Sequence, residues 1–463
     1  MPAPPAEENK KLIVLIAAVA ATGGLLFGFD TGVISGALLF LKKDFALDAL
    51  SQEYVVSAVL VGCVIGAATS GRLADALGRK KVIIITACVF AAGSLWASLA
   101  QSVPVLLLGR ATIGLAIGVA SFTVPLYISE ISPPNYRGAL VSLNQLLITI
   151  GIVVSYFVDD LFAETANTWR NMFLVGVVPA VILGVGMLFL PETPRWLMSK
   201  GRRETAVGVL TRLMGARAAN VEADAIKESM AGEGGGTFAE LFSDWMRPAL
   251  FLGVGIMFVQ QATGINTVIY YAPTIFQMAG FTSDTAAISA TVGVGLVNVL
   301  MTIVSIRLID KLGRKPLLSI GLIGMSASLF LLGLAFLLEE SVGGALKWIT
   351  VAALVGYIAS FAISLGPIAW LLISEIYPLK VRGLAMSVAT LSNWGFNFLI
   401  ALTFLSIIES FGKAGAFWLY AVIGLGGWFF CKFFVPETKG TTLEDIEENL
   451  RAGVALKDLG RAR

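Results

Sequence analysis

Long apolar stretches separated by short polar breaks run along almost the whole chain. Runs approaching the roughly 20 residues that a spanning helix needs recur at 12–40, 55–71, 82–101, 104–128, 139–160, 170–190, 248–278, 286–306, 316–338, 347–373, 384–408 and 416–435. The pattern predicts twelve membrane spans, in two sets of six on either side of a longer polar segment. Strands of a membrane barrel would alternate polar and apolar residues, and these stretches do not, so helices are what satisfies the backbone inside lipid. The expected fold is all-α and polytopic. Composition agrees, since the 463 residues are 57% hydrophobic and only 14% charged, with a mean hydropathy of +0.83.

The breaks divide the chain into a tail at 1–11, a six-helix half at 12–190, a linker at 191–247, a second six-helix half at 248–435 and a tail at 436–463. Lys and Arg choose the orientation, because loops on the cytoplasmic side carry their excess. One set of loops holds Arg72, Arg79, Lys80, Lys81, Arg137, the basic residues of 195–247, Arg307, Lys311, Arg314, Lys315, Lys380 and Arg382; the other holds Lys42, Lys43, Arg170, Lys347 and Lys413. Both termini and the linker are therefore expected in the cytoplasm, with the lipid bilayer as the chain's surroundings. The basic residues sort by side and form no nucleic-acid surface. Segment 12–40 is too long for a cleavable leader and reads as a retained helix. In the linker, RRETAVGVLTRLMG at 202–215 and VEADAIKESM at 221–230 predict short cytoplasmic helices before a glycine-rich GEGGG at 232–236. Such a segment is too short to bury a separate catalytic core.

Charge inside a span is the next signal. The stretch GGLLFGFDTGVISGALLF, from Gly23 to Phe40, places Asp30 among apolar, glycine and small hydroxyl residues. A carboxylate in hydrocarbon costs roughly 2.5 to 3.5 kcal/mol on insertion scales and marks a functional site with a partner to be found. Arg110, in LLLGRATIGLAIG, is the one other charge read as lying well inside a span and away from the basic loops. Asp30 lies about 27 Å along its helix from the inner end and Arg110 about 9 Å from the outer end of its own, so their depths overlap. Either Arg110 permanently neutralises Asp30 and the pair fixes packing, or Asp30 alternates between a carboxylate paired with Arg110 and a neutral acid released from it. The chain has no histidine, which leaves Asp30 as the proton carrier of the second reading. Cys63, Cys88 and Cys431 have neither metal-site nor disulfide spacing and read as small packing residues. No metal or other cofactor is expected, and no GxxxxGK[ST] loop suggests nucleotide coupling.

The loops also repeat. GRLADALGRK at 71–80 is echoed by IRLIDKLGRK at 306–315, SEISPPNYRG at 129–138 by SEIYPLKVRG at 374–383, and PETPR at 191–195 by PETKG at 436–440. Glu130 and Glu375 each end a span, with Arg137 and Arg382 seven residues on and Arg79 and Arg314 in neighbouring loops. These basic residues either anchor helix ends or pair with the two carboxylates. With QQATGIN at 260–266, LLITIG at 146–151 and LEDIEENL at 443–450, the duplicated motifs resemble the sugar porter family of the major facilitator superfamily over nearly the whole chain. Within it, the motifs are most similar to bacterial galactose and arabinose proton symporters. The resemblance implies the major facilitator fold, two six-helix halves that rock about a central site. It also implies a monomer in the bacterial inner membrane, and a latch of Arg79, Glu130, Arg137, Arg314, Glu375 and Arg382 formed in the outward-facing state. In symporters of this family an Asp occupies the place of Asp30, where passive facilitators commonly carry Asn.

Sugars need paired donors and acceptors for their hydroxyls and flat surfaces for their C–H faces, which amides and tryptophan supply. Gln145, Gln260, Gln261, Asn266, Asn298 and Asn393 fall inside spans, and Trp370 follows Gly366 and Pro367. Any one amide alone reads equally as interhelical glue. Together they point to a cavity lined mainly by the second half, with Gly264 and Gly366-Pro367 expected to break their helices. The resemblance assigns Gln145, Gln260, Gln261, Asn266, Asn298, Gly366, Trp370 and Asn393 to sugar contact, and Phe27, Tyr270, Tyr271 and Trp394 to the frame or gate. Ile152 stands where some xylose transporters place a second glutamine, which favours a hexose such as galactose or glucose, or arabinose. The expectation is a proton-coupled monosaccharide symporter with no catalytic chemistry. Passive facilitation and a transport-inactive sugar sensor remain the alternatives.

Overall fold

A computed structural model describes residues 9–133, 137–232, 237–378 and 380–460, with the side chains of 231 and 232 outside the description. Before the linker run α1 (Lys10–Asp44), α2 (Ala49–Leu77), α3 (Arg79–Ser98), α4 (Val103–Ile131), α5 (Arg137–Phe162), α6 (Thr168–Val175) and α7 (Val177–Phe189). The linker forms α8 (Pro194–Ser199), α9 (Arg203–Met214) and α10 (Ala216–Gly232). After it come α11 (Arg247–Ala262), α12 (Ile265–Met278), α13 (Asp284–Leu312), α14 (Arg314–Leu337), α15 (Glu339–Val342), α16 (Leu346–Ala362), α17 (Leu365–Ile376), α18 (Arg382–Ala401), α19 (Phe404–Phe434) and, in the tail, α20 (Leu443–Arg451). Joined as α6–α7, α11–α12 and α15–α17, they give 12 spans long and apolar enough to cross a bilayer. The protein is an all-α bundle of two six-helix halves, with no strand among the described residues.

Small residues set the helix spacing. Gly24, Gly28, Gly32 and Gly36 recur every fourth residue along one face of α1; the first three receive the backbone of α5 and Gly36 receives the Asp159 side chain, and a Cβ on Gly28 would lie 1.9 Å from the Ile148 carbonyl oxygen. On α4, Gly114 is as tight: a Cβ there would lie 1.8 Å from the Val59 carbonyl oxygen of α2. With no hydrophobic drive between helices in lipid, close backbone approach of this kind is what holds them.

The duplicated loop motifs form one device used twice. Gly78 and Gly313 take φ of +95° and +89°, a region that favours glycine, and end α2 and α13 so that α3 and α14 begin at the next residue. Glu192 of the first PET accepts the N–H groups of Arg79 at 3.1 Å and Lys80 at 3.2 Å; Glu437 of the second accepts those of Arg314 and Lys315, each at 3.0 Å. Each carboxylate caps the positive end of a span. Burial pushes the Glu192 carboxyl up from its ordinary range, and the N–H groups it accepts act against that. Linker helices α9 and α10 bury Leu210, Met214, Ala219 and Ala223 in a small core of their own, and the Asn9 N–H donates to the Leu213 carbonyl. Residues 1–8 of the first tail and 233–236 of the glycine-rich stretch lie outside the described residues.

Three expectations need correction. The tenth span breaks at Ser364 (φ −127°, ψ −98°), not at Gly366-Pro367, which occupy the first turn of α17. There a missing N–H costs nothing, because first-turn N–H groups have no partner within the helix. The eleventh span stops at Ala401 rather than 408; residues 404–411 start α19, which kinks at Gly412 (φ +73°). Cys88 lies exposed on α3, unlike the buried Cys63 and Cys431.

The two halves meet at the end away from the basic loops. There Asp160 accepts the Ser289 hydroxyl at 2.6 Å, Glu53 binds Ser406, and Lys43 pairs with Asp284. Toward the basic end the bundle opens: every residue from 141 to 148 on α5 is half-exposed, whichever helical face it occupies. A Cβ on Gly138, Gly383 or Gly395 would meet nothing within 4 Å. The structure is thus closed at the end away from the basic loops and open on its basic side.

Candidate functional site

Asp30 and Arg110 meet in the interior of the first half, 3% and 0% exposed. The glycine stripe holds α1 against α5, and Asp30 lies off that stripe, free to face α4. One Nη of Arg110 reaches an Asp30 carboxylate oxygen at 3.4 Å, while Nε donates to the Val55 carbonyl at 2.8 Å. The guanidinium also lies 5.6 Å from the centre of the Phe173 ring, and its second Nη has no hydrogen-bond partner within the protein. Charge-assisted N–H···O bonds usually run about 2.7–2.9 Å, so the pair is in contact but slack. The cation is held mainly by α2, through a carbonyl, and only loosely by the acid. α1, which carries Asp30, packs against α12 of the second half.

Four of the expected amides form one chain across the second half. Asn266 Nδ2 donates to Gln261 Oε1 at 2.8 Å, Gln261 Nε2 to Asn393 Oδ1 at 3.1 Å, and Asn393 Nδ2 to Gln260 Oε1 at 2.7 Å. Gln260 Nε2 completes it on the Leu365 and Gly366 carbonyls, at 2.9 and 3.4 Å. The chain exists because both discontinuous spans supply it. Gly264, at φ +87°, ends α11 and restarts the helix as α12, so that Gln261 and Asn266 point at one another although five residues apart. The break at Ser364 starts α17 at Leu365, and the carbonyls of its first two residues accept from Gln260. An amide network of this kind can exchange internal bonds for hydroxyl groups without leaving a buried group unpaired.

The other predicted residues lie around this chain. Asn298 and Ile152 face each other across a small cavity between the halves, of about 10 Å3, whose wall also includes Tyr156 and Ile269. Tyr156 Oη donates to the Ile269 carbonyl at 3.2 Å. Phe27 and Trp394 touch across the halves with ring centres 5.2 Å apart, and the Trp394 Nε1 is buried without a hydrogen-bond partner within the protein. Tyr270 accepts from Asn397 at 3.3 Å, and Tyr271 donates to the Ala401 carbonyl at 3.2 Å. Gln145 and Trp370 are half-exposed on α5 and α17, outside the amide chain, and Gly366 takes part through its carbonyl alone.

At the basic ends, the carboxylate partners differ from those that sequence neighbourhood suggests. Glu130 takes Arg79 at 3.1 Å and Thr193 at 2.6 Å; Glu375 takes Arg314 through two bonds of 2.7 and 3.2 Å, with Thr438 at 2.5 Å. Arg137 is exposed and Arg382 donates to the Tyr377 carbonyl. Both ion pairs run within a half, so in this conformation they do not bridge the halves.

Sequence reasoning missed Glu53 and Asp159, two more fully buried acids. Asp159 accepts the Gly36 N–H at 3.1 Å, and its other oxygen has no hydrogen-bond partner within the protein. A signal was present for Asp159, an acid inside a predicted span; Glu53 lies two residues outside one. Thr193 and Thr438 sit in the repeated PET motif, which made them findable.

A family model described as sugar (and other) transporter matches residues 16–450. The chain is 43% identical over 453 residues to the galactose-proton symporter of Escherichia coli (strain K12), covering 98% of this chain and 97% of that protein. It is 40% identical over 456 residues to the arabinose-proton symporter of the same organism, covering 98% and 96%. Among solved structures, the partially occluded inward open conformation of the xylose transporter XylE from E. coli matches with a TM-score of 0.82 at 34% identity, over 93% of this chain and 100% of that one.

Proposed function

The chain belongs to the sugar transporter family, and from that premise we propose that it imports a monosaccharide together with a proton by alternating access between its two halves. It is a proton-coupled sugar symporter. The observation that carries the coupling is the slack Asp30–Arg110 pair, buried in the first half on a helix, α1, that packs against α12 of the second. Asp30 is the proton carrier. Neutral, it releases Arg110 to the Val55 carbonyl; ionised, it draws the guanidinium back, and that movement pulls on α2 and α4. The proton's presence thereby biases which end of the bundle is closed.

The sugar binds at the amide chain of Gln260, Gln261, Asn266 and Asn393, with Asn298, Gln145, Trp370 and the Gly366 carbonyl completing the pocket. Phe27, Tyr270, Tyr271 and Trp394 close its outer side. Ile152 supplies an apolar wall opposite Asn298, which favours galactose, glucose or arabinose over xylose. The two intra-half clusters, Arg79 with Glu130 and Arg314 with Glu375, are half-latches; Arg137 and Arg382 join them across the halves when the basic side closes. The basic face is cytoplasmic, both termini lie there, and the carrier works as a monomer in the bacterial inner membrane. No catalytic step and no cofactor is involved.

The test is purified protein in liposomes, given an inward proton gradient and labelled galactose, with glucose, arabinose and xylose as competitors. Uphill uptake abolished by a protonophore is expected. Downhill uptake alone, equal with and without the gradient, would leave passive facilitation as the function.

A further inference from the structure

Of the contacts that close the outer end, one differs in kind from the rest. Lys43 with Asp284, Asp160 with Ser289 and Glu164 with Thr285 all lie at the exposed rim. Glu53, on α2 of the first half, is 0% exposed, and both its oxygens go to one residue of the second half. Oε1 accepts the Ser406 N–H at 2.8 Å and Oε2 accepts the Ser406 hydroxyl at 2.7 Å. Ser406 is the third residue of α19, in the turn whose N–H groups have no partner within the helix, and Thr403 before it provides no side-chain cap. A carboxylate of the first half therefore caps the last span of the second, its charge facing the positive end of that helix. Among the described residues no cation pairs with Glu53, and the nearby charged group that acts on it is Glu409, one turn further along α19.

We propose that Glu53 is the clasp of the outer gate, a positioning residue that holds α2 to α19 whenever the carrier is open to its basic side; this rests on the alternating-access reading. The chemistry suits a contact that must open in every cycle. A buried carboxylate deprived of an arginine would strand a cation as well as an anion. Here the separated partners are a glutamate and a helix terminus, both of which water solvates readily. The same contact explains why α19 has a first segment, residues 404–411, set off by the kink at Gly412. That segment presents Ser406 to the other half while the rest of α19 packs within its own.

The test uses the full chain in lipid nanodiscs, with Cys88 replaced by serine and nitroxide labels at Ala166→Cys and Phe411→Cys, read by pulsed electron-electron distance measurement. Glu53→Gln is expected to raise the ratio of open to closed outer ends about tenfold, the effect of losing one charge-assisted bond. Ser406→Ala should raise it several-fold, and the double variant no further than Glu53→Gln alone. Galactose binding by calorimetry is expected to persist in all three. Unchanged distances, or fully additive effects of the two substitutions, would overturn the clasp. If Glu53→Gln does not fold, Ser406→Ala decides alone, an unmoved distribution overturning the proposal. Failure of the parent to bind any sugar would instead refute the transport reading, and the distances would still judge the clasp.

Discussion

Replacing Asp30 by asparagine removes one charge and almost no volume, so its consequences can be worked out closely. Arg110 would keep its 2.8 Å bond to the Val55 carbonyl and its place 5.6 Å from the Phe173 ring. The amide oxygen of the substituted side chain can still accept across the present 3.4 Å gap. An orphaned buried ion costs about 3–5 kcal/mol, and a cation retaining two of its three neighbours should lose only part of that, leaving a folded protein. The effect on transport is larger. Each proton that Asp30 carries, as proposed above, supplies about 3.4 kcal/mol at a proton-motive force of about 150 mV. At about 1.4 kcal/mol per factor of ten, the parent can support a sugar gradient of a few hundred-fold. Asp30→Asn should reduce that to no gradient while sugar counterflow, which needs only exchange, continues. The assay is uptake of labelled galactose into proteoliposomes under an imposed pH gradient, beside counterflow in the same vesicles. Equal accumulation by parent and variant would refute the reasoning and move attention to Asp159, another acid buried in the first half.

Gln261→Ala would orphan both the Asn266 donor and the Asn393 acceptor, so sugar binding should weaken by about 1–3 kcal/mol; unchanged calorimetric affinity would remove Gln261 from the site. Gly28→Ala drives a methyl to 1.9 Å from the Ile148 carbonyl and should cost about 1–3 kcal/mol as overpacking, read as a fall in melting temperature in detergent; an unshifted melt would show that α1 and α5 are not in close contact. Glu437→Ala uncaps α14, with an expected loss of about 0.5–2 kcal/mol, and Glu192→Ala should do the same at α3. Thermal unfolding of the two variants should agree, and a difference beyond that range would mean that the repeated PET glutamates have distinct roles.

Much of this architecture is legible in the sequence because lipid imposes a simple demand. Twelve apolar runs announce twelve spans, and an acid and an arginine inside two of them announce a pair. What is not legible is anything that depends on which half touches which. Glu53 stands just outside a predicted span and looks like an ordinary acid of a loop; only the arrival of α19 buries it. Pro367 looks like a helix breaker, yet it opens α17 in a turn that needs no N–H, while the break falls on Ser364, an unremarkable residue by composition. Arg137 and Arg382 are nearest in sequence to Glu130 and Glu375, but the side chains of Arg79 and Arg314, the first residues of α3 and α14, are the ones that reach those carboxylates, and geometry prevails over proximity. The amides were findable as a set, whereas their order in the chain from Asn266 to Gln260 required the left-handed Gly264.

The contrast between the two ends of the bundle carries the mechanism further. On the basic side, Arg79 with Glu130 and Arg314 with Glu375 are strong pairs confined to one half each, so they stiffen the halves and are already formed when the halves are apart. At the opposite end, the halves meet through a buried carboxylate on a helix terminus, hydroxyl groups on rim acids and one lysine. Bonds inside a half need not break in the cycle and can be strong; bonds between halves must break each time and are of a kind that water replaces at small cost. Exchange between the two closed ends must also run without a proton drive, as counterflow requires, so contacts across a gate have to separate at small cost. Stranding one partner of a buried arginine pair there would cost about 3–5 kcal/mol, more than parting a capped helix and exposed rim contacts.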